Sequence, residues 1–180
     1  TVRCRFLEVP SALGFCNTRM LVKRLTSRLA NRGVSVVARS GELSQNERSH
    51  ALQAMRDGRA RVCVATDVAA RGIDLPNLDL VIHADLPQSH ETLLHRSGRT
   101  GRAGRKGVSA LIVPAKARRK AERLMQGAKV TAEWCEAPSA QSVIAHDEER
   151  LLADPTWQKE LDTNEGLSAQ KLIELHGPEK

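Results

Sequence analysis

The sequence predicts an α/β fold: a mostly parallel sheet with helices on both faces, followed by a mostly helical C-terminal extension. Three observations lead there. Short apolar runs alternate with segments of helical periodicity from Ala12 to Val113. Helix caps fall between them, and after Val113 the alternation stops. Strands that alternate with helices form parallel sheets covered on both sides, because each right-handed crossover lays a helix on a face.

Ala12 to Asn17 reads as a buried strand. Thr18 caps a helix whose apolar face is Leu21, Leu25 and Leu29, and Gly33 stops it. Val34 to Ala38 is the next strand. Ser44 followed by Glu47 makes a capping box that opens a helix ending near Gly58. Arg61 to Thr66 and Leu78 to Ala84 are further strands; Ser89 caps a helix running toward His95, and Val108 to Val113 is the fifth strand. Beyond them, Ala115 to Gly127 reads as a basic helix and Lys129 to Pro138 as extended chain. Ser139 to Asp154 is helical, with Val143, Ile144, Leu151 and Leu152 on its apolar side, and a last short helix spans Ser168 to His176.

The 180 residues suit one compact domain with some chain left over, and 41% hydrophobic with 27% charged residues argues against disorder. No apolar run approaches the ~20 residues of a membrane span, and no signal-peptide pattern opens the chain, which fits a cytoplasmic protein with no membrane partner. Thr1 is not a natural start, so further sequence is expected upstream. Cys4, Cys16, Cys63 and Cys135 form no CxxC pair and read as small, reduced core residues rather than metal ligands or disulfides. His50, His83, His90, His146 and His176 show no metal-ligand spacing either.

The formal net charge is +7, which favours a polyanionic partner. Between Arg96 and Arg123 the chain carries ten Lys or Arg and a single acid, Glu122. Tyr is absent, with only two Phe and two Trp, so base-stacking platforms are scarce. If RNA is held, it is gripped by its backbone. Lys116, Arg118, Arg119, Lys120 and Arg123 extend such a track or simply form a solvated helix face, and the solvated face is favoured.

Two motifs carry chemistry. His95-Arg96-Ser97-Gly98-Arg99-Thr100-Gly101-Arg102-Ala103-Gly104 spaces three arginines by three, among glycines that allow close backbone approach. Guanidinium groups in that setting clamp phosphate oxygens with paired hydrogen bonds, and the alternative is a solvated basic loop. Ala65-Thr66-Asp67-Val68-Ala69-Ala70-Arg71-Gly72-Ile73-Asp74 ends a strand at a hydroxyl beside free backbone N–H groups, a setting for phosphate, and places Asp74 after a glycine turn, where it can accept from a ribose hydroxyl. Read alone, that segment is better explained by a capped helix with a C-terminal glycine. Ligands of parallel sheets sit beyond the carboxyl ends of the strands, where Asn17–Thr18, Ser40–Gly41, Thr66–Asp67 and Asp85 fall.

In this order and spacing the motifs resemble the DEAD-box ATP-dependent RNA helicases, in particular the second RecA-like (helicase C-terminal) domain of bacterial-type members. Phe15-Cys16-Asn17-Thr18-Arg19 resembles motif IV, and Gly41-Glu42-Leu43-Ser44-Gln45-Asn46-Glu47-Arg48 the glycine and QxxR element. Ala65 to Asp74 resembles motif V and His95 to Arg102 motif VI, whose His95 separates the family from related groups that open with Gln. The resemblance runs from about Ala12 to Val113 and implies a RecA-like domain over residues 1–127, with 1–11 an atypical or truncated entering segment. Residues 128–180 would form the C-terminal extension, an extended segment and then helices. Trp134 to Pro155 is similar to the extension of cold-shock-type bacterial relatives, in some of which this region leads to a dimerisation domain, so a homodimer through it is one implied partner.

The resemblance further implies that Thr18, Gly41, Gln45, Arg48 and Thr66 touch the RNA sugar–phosphate backbone. Asp74 would meet the ATP ribose, Arg99 and Arg102 the γ-phosphate, and His95 and Arg71 an N-terminal RecA-like domain across a cleft. That other domain would hold most of the ATP and the magnesium ion (Mg2+), since no GxxxxGK[ST] loop and no Asp-Glu-Ala-Asp occurs in these residues. The chain alone is expected not to hydrolyse ATP. The rival is a catalytically inactive RNA-binding or regulatory module derived from a helicase domain. The chain departs from the family pattern at Gly14, at Ser40 where His is usual, at Leu93 where Tyr is usual, and at Ser11, which alone separates Pro10 from Ala12 where the family spends a helix.

Overall fold

The computed structural model describes residues 9, 11–41, 44–71, 73, 75, 78–101, 104, 106–158 and 163–177. Five strands form one sheet: β1 (Ala12–Phe15), β2 (Val36–Arg39), β3 (Val62–Ala65), β4 (Leu80–His83) and β5 (Val108–Leu111). Their order is β2-β3-β1-β4-β5 and every pairing is parallel, with Phe15 in register with Ala65 on one side and His83 on the other. Each strand is shorter than its apolar run in the sequence, because residues such as Asn17 and Ala84 continue the chain beyond the last ladder pair. Residues 1–8 and 10, most of the atypical entering segment, lie outside the described residues.

Strand side chains alternate between the sheet faces, and each face gathers its own core. Leu13, Phe15, Cys63, Ala65 and Val81 pack with Met55, Leu52 and Ala54 of α2 (Gln45–Arg56). Cys16, Val64, Val62 and Val36 pack with Val22, Leu21, Leu25 and Leu29 of α1 (Arg19–Ala30), the apolar stripe expected of that helix. A third cluster joins Leu93 of α3 (His90–Ser97) to Ala121, Leu124 and Ala128 of α4 (Arg118–Ala128), with Leu111 against it.

The helix starts follow from local chemistry. Thr18 Oγ1 accepts from the Leu21 amide at 3.2 Å, and Ser89 Oγ from the Thr92 amide at 3.2 Å. Ser44 and Glu47 form the full capping box: the Glu47 amide donates to Ser44 Oγ at 3.3 Å and the Ser44 amide to Glu47 Oε2 at 2.7 Å. Gly33 ends α1 at φ +77°, a left-handed turn that favours glycine. Gly127 is not a stop: α4 runs one residue further, and a Cβ on Gly127 would lie 3.2 Å from the His90 side chain. It is a close-packing residue between α3 and α4. The expected basic helix begins as a short 3-10 turn at Ala115–Ala117.

Chain contacts divide the molecule into residues 1–135 and 136–180. At the end of the first unit the Arg118 guanidinium lies 4.6 Å from the centre of the Trp134 ring, anchoring the extended chain to α4. In the second unit, α5 (Ala140–Leu152) starts at the Ser139 cap and α6 spans Thr163–His176, longer than the short helix expected at Ser168–His176. Trp157 Nε1 donates to the Leu151 carbonyl. No described residue of this unit is buried, and Leu152, Trp157 and Leu175 are exposed. No helix of the described residues is long and apolar enough to cross a membrane.

The loop that leads into β5 depends on Gly107. Thr100 Oγ1 donates to the Leu78 carbonyl at 2.6 Å, and a Cβ on Gly107 would sit 2.5 Å from the Gly101 amide nitrogen and closer still to Thr100 Oγ1. Gly107→Ala is therefore expected to destabilise the domain by roughly 1–3 kcal/mol through overpacking, read as a lower midpoint in urea unfolding.

Candidate functional site

The carboxyl ends of β1, β3 and β4 converge on one side chain, Arg96. It shares the inward face of α3 with Leu93, one turn earlier, and is only 1% exposed. Its Nε and Nη2 donate to Asp67 Oδ1 and Oδ2, both at 2.6 Å, the paired geometry that guanidinium and carboxylate favour. Nη2 also donates to Asn17 Oδ1 at 2.7 Å and Nη1 to the Asp85 carbonyl at 3.0 Å. The guanidinium carbon lies 5.2 Å from the centre of the Phe15 ring. Asn17 is held in turn, its amide donating to Asp85 Oδ2 at 2.9 Å and its side-chain nitrogen to the Leu86 carbonyl at 3.0 Å.

This corrects two expectations. Arg96 is not a phosphate clamp; its donors are consumed inside the protein. Asn17, Asp67 and Asp85 stand where ligands of parallel sheets sit, yet these hydrogen bonds tie all three to Arg96, to one another or to Leu86. A signal was present in the sequence: the three-residue step from Leu93 to Arg96 puts the arginine on the buried side of a capped helix. The partner set was not legible, because Asn17, Asp67 and Asp85 come from three separate connections.

Around this hub stand the other expected residues. Thr18 and Thr66, each next to a hub residue, cap the chain locally: Thr18 Oγ1 accepts from the Leu21 amide, and Thr66 Oγ1 accepts from the Ala69 amide at 3.4 Å. Arg48 Nη2 donates to the Gly41 carbonyl at 3.1 Å, which fixes the loop after β2. His95 and Arg71 are exposed, and Arg99 is half-buried one turn beyond Arg96. Asp74 and Arg102 lie outside the described residues, as does the side chain of Gln45. Among the described residues no group of three His, Cys, Asp or Glu could hold a metal ion. The basic residues of α4 stay at the surface, where Arg118 pairs with Glu122 at 3.1 Å, and Lys120 and Arg123 line a shallow pocket of about 450 Å³ with Gln88, Ser89, His90 and Leu124.

Behind the hub, His83 is fully buried, its Nε2 3.1 Å from Ser109 Oγ and 3.4 Å from Ser97 Oγ. Burial, reinforced by the charge of Arg96 and opposed by Asp67, pushes its pKa down to about 4, so the ring is neutral beside the permanent guanidinium. Burial pushes the Cys16 thiol up to about 11 and Cys63 to about 12, which makes both unreactive core residues as expected.

The fold and the site define an α/β domain of the kind that meets its ligands beyond the carboxyl ends of parallel strands, with a guanidinium-braced rim there. The profile described as "Helicase conserved C-terminal domain" matches residues 4–104, and the chain belongs to that family. It is 51% identical over 102 residues to "DEAD-box ATP-dependent RNA helicase 53" of Oryza sativa subsp. japonica, covering 55% of this chain and 17% of that protein. It is 46% identical over 109 residues to "ATP-dependent RNA helicase eIF4A" of Coccidioides immitis (strain RS), covering 61% and 27%. The chain thus spans well under a third of the length of the curated relatives it matches. Among solved structures it is similar to the E. coli DEAD-box protein SrmB, seen bound to regulator of ribonuclease activity A, with a TM-score of 0.62, 35% identity and 73% and 83% of the two chains covered. It is also similar to a DEAD box protein from the hyperthermophile Methanococcus jannaschii, with a TM-score of 0.62, 36% identity and 71% and 36% covered. The RecA-like fold is the one these structures share.

Removing one partner of a buried ion pair strands the other, so Arg96→Leu is expected to cost roughly 3–5 kcal/mol, at the lower end because the Asp67 side chain is 43% exposed. Urea unfolding of the variant against the parent measures it. His83 predicts an acid limb. A histidine whose folded pKa lies below its unfolded value stabilises the fold fully above about 6.5 and loses that stability as pH falls toward about 4. The loss is roughly 2 kcal/mol by about pH 5, and His83→Gln is expected to show a shallower decline of unfolding midpoint over that window.

Proposed function

We propose that this chain is the C-terminal half of a DEAD-box ATP-dependent RNA helicase, supplying RNA-backbone contacts and arginine fingers to an ATP site shared with an N-terminal RecA-like domain. The observation that carries this reading is the Arg96 hub. It ties the chain ends bearing Thr18 and Thr66 to the helix whose continuation carries Arg99 and Arg102. A shift of RNA at the first pair is thereby mechanically linked to the second.

In this reading Thr18, Gly41, Gln45, Arg48 and Thr66 hold successive phosphates and riboses of a single strand, reading no bases. Asp74 accepts from the ATP ribose, and Arg99 and Arg102 place positive charge where the γ-phosphate gathers negative charge during transfer to water. His95 and Arg71, both exposed, engage the other domain on closure. Closure completes the ATP site only with RNA in place, which couples hydrolysis to the opening of short duplexes. Residues 1–127 form the RecA-like half and 128–180 an extension of the bacterial cold-shock type, with a cytoplasmic setting and self-association through the extension as further elements of the proposal. The rival is an RNA-binding or regulatory module that works alone. It predicts tight RNA binding by the isolated chain, whereas a half-site binds weakly without its partner domain.

In the complete protein, Arg102→Ala is expected to lower RNA-stimulated ATP hydrolysis by about 10³-fold or more, the loss typical of an arginine finger. Steady-state turnover with saturating RNA checks it, and unchanged turnover would remove the finger assignment.

A further inference from the structure

Strand β2 ends in a charge. Arg39 follows Val37 by two residues, so both side chains leave the same sheet face, the one where Val37 packs with Leu52 and Met55 of α2. In a strand–helix–strand unit the helix returns antiparallel to the strand. The step from Val37 to Arg39 toward the strand end therefore matches the step from Leu52 back one turn to Arg48. The two guanidinium groups are near enough for the charge of Arg48 to act on Arg39, and Arg48 reaches the Gly41 carbonyl.

Their donors are not all used. Arg39 is 7% exposed, and its Nε and Nη1 are buried with no hydrogen-bond partner among the described residues. Arg48 Nε is buried without one as well, while its Nη2 is committed to the Gly41 carbonyl. The nearby Glu47 carboxylate is occupied by the amide and hydroxyl of Ser44, each at 2.7 Å. Burial, and then the charge of Arg48, hold the Arg39 pKa below the ordinary arginine value, with Cys63 acting the other way. Arginine keeps its proton at neutral pH regardless, so among the described residues Arg39 is a buried cation with two unpartnered donors. A third guanidinium borders the same loop: a Cβ on Gly41 would lie 3.1 Å from Arg19 Nη2. Guanidinium groups with idle donors next to Gly41 are complementary to an anion with several acceptor oxygens.

We propose that Arg39 and Arg48 form a two-guanidinium seat for one phosphodiester of a single-stranded RNA backbone, with Arg39 as its buried member. The inference rests on the RNA-binding reading above and adds to it a residue that the motifs do not contain. It also carries a trade between stability and binding: without RNA the buried charge of Arg39 weakens the fold, and with RNA the phosphate neutralises it.

The test uses fluorescence anisotropy of a labelled oligouridylate with the 180-residue chain across a salt series, together with thermal melts. Arg39→Met is expected to weaken binding about tenfold, as befits a lost charge-assisted contact. It should also flatten the salt dependence by about 0.7 in slope, the share of one neutralised phosphate on a single strand. The melting temperature of the free variant should rise. Arg39→Lys should keep the slope while losing affinity, and it decides the matter if Arg39→Met fails to fold. Parent-like affinity and slope in Arg39→Met, with Arg48→Met impaired, would overturn the seat and leave the RNA reading standing. No RNA binding by the parent chain at any salt would overturn both. If inorganic phosphate raises the melting temperature of the parent but not of Arg39→Met, while their RNA affinities agree, the seat belongs to free phosphate and the backbone assignment fails.

Discussion

The buried guanidinium of Arg96 is the interaction on which the working edge of this domain depends. A parallel sheet leaves its strand ends as separate loops, each free to move as its own connection dictates. Here three of them are drawn together by one side chain: Asp67 after β3 by paired hydrogen bonds, Asn17 after β1 by its amide oxygen, and Asp85 after β4 by its carbonyl. Every nitrogen of the guanidinium has an acceptor, so a charge that would be costly alone becomes a brace. The neutral His83 ring behind it avoids a second charge in the same place.

Arg39 presents the opposite case. It too is an arginine at the carboxyl edge of the sheet and nearly as buried, but two of its nitrogens lack partners among the described residues. The contrast separates two uses of the same side chain. A satisfied guanidinium holds the protein's own loops, while an unsatisfied one keeps donors in reserve for a ligand under the seat proposed above. Both sit on the rim where Thr18, Gly41, Arg48 and Thr66 also stand, so the rim joins fixed geometry to unspent charge.

The family assignment fits this division. The profile match ends at residue 104, within the arginine-rich motif, and the similarity to solved DEAD-box structures covers about the same sheet and helices. Beyond it, Leu152 of α5, Trp157 in the turn after it and Leu175 of α6 are exposed, with no buried residue described in their unit.

The sequence by itself determined the alternation of strands and helices, the caps at Thr18, Ser44 and Ser89, the apolar stripe of α1 and the family. These are local properties, set by hydrogen bonding within a turn or by side-chain periodicity, and a one-dimensional pattern carries them. It also pointed to the rim positions, since strand ends and glycine turns are visible as punctuation. What only the tertiary structure decided is which polar residues of that rim face inward. Asn17, Asp67, Asp85 and Arg96 lie far apart in the chain, and their pairing exists only once the parallel register brings β1, β3 and β4 side by side. The same holds for Arg39 and Arg48, whose meeting follows from the return of α2 across β2. Spacing along the chain specifies neighbours within a helix or strand, but charge partners across a sheet are chosen by strand order, which the pattern alone does not contain.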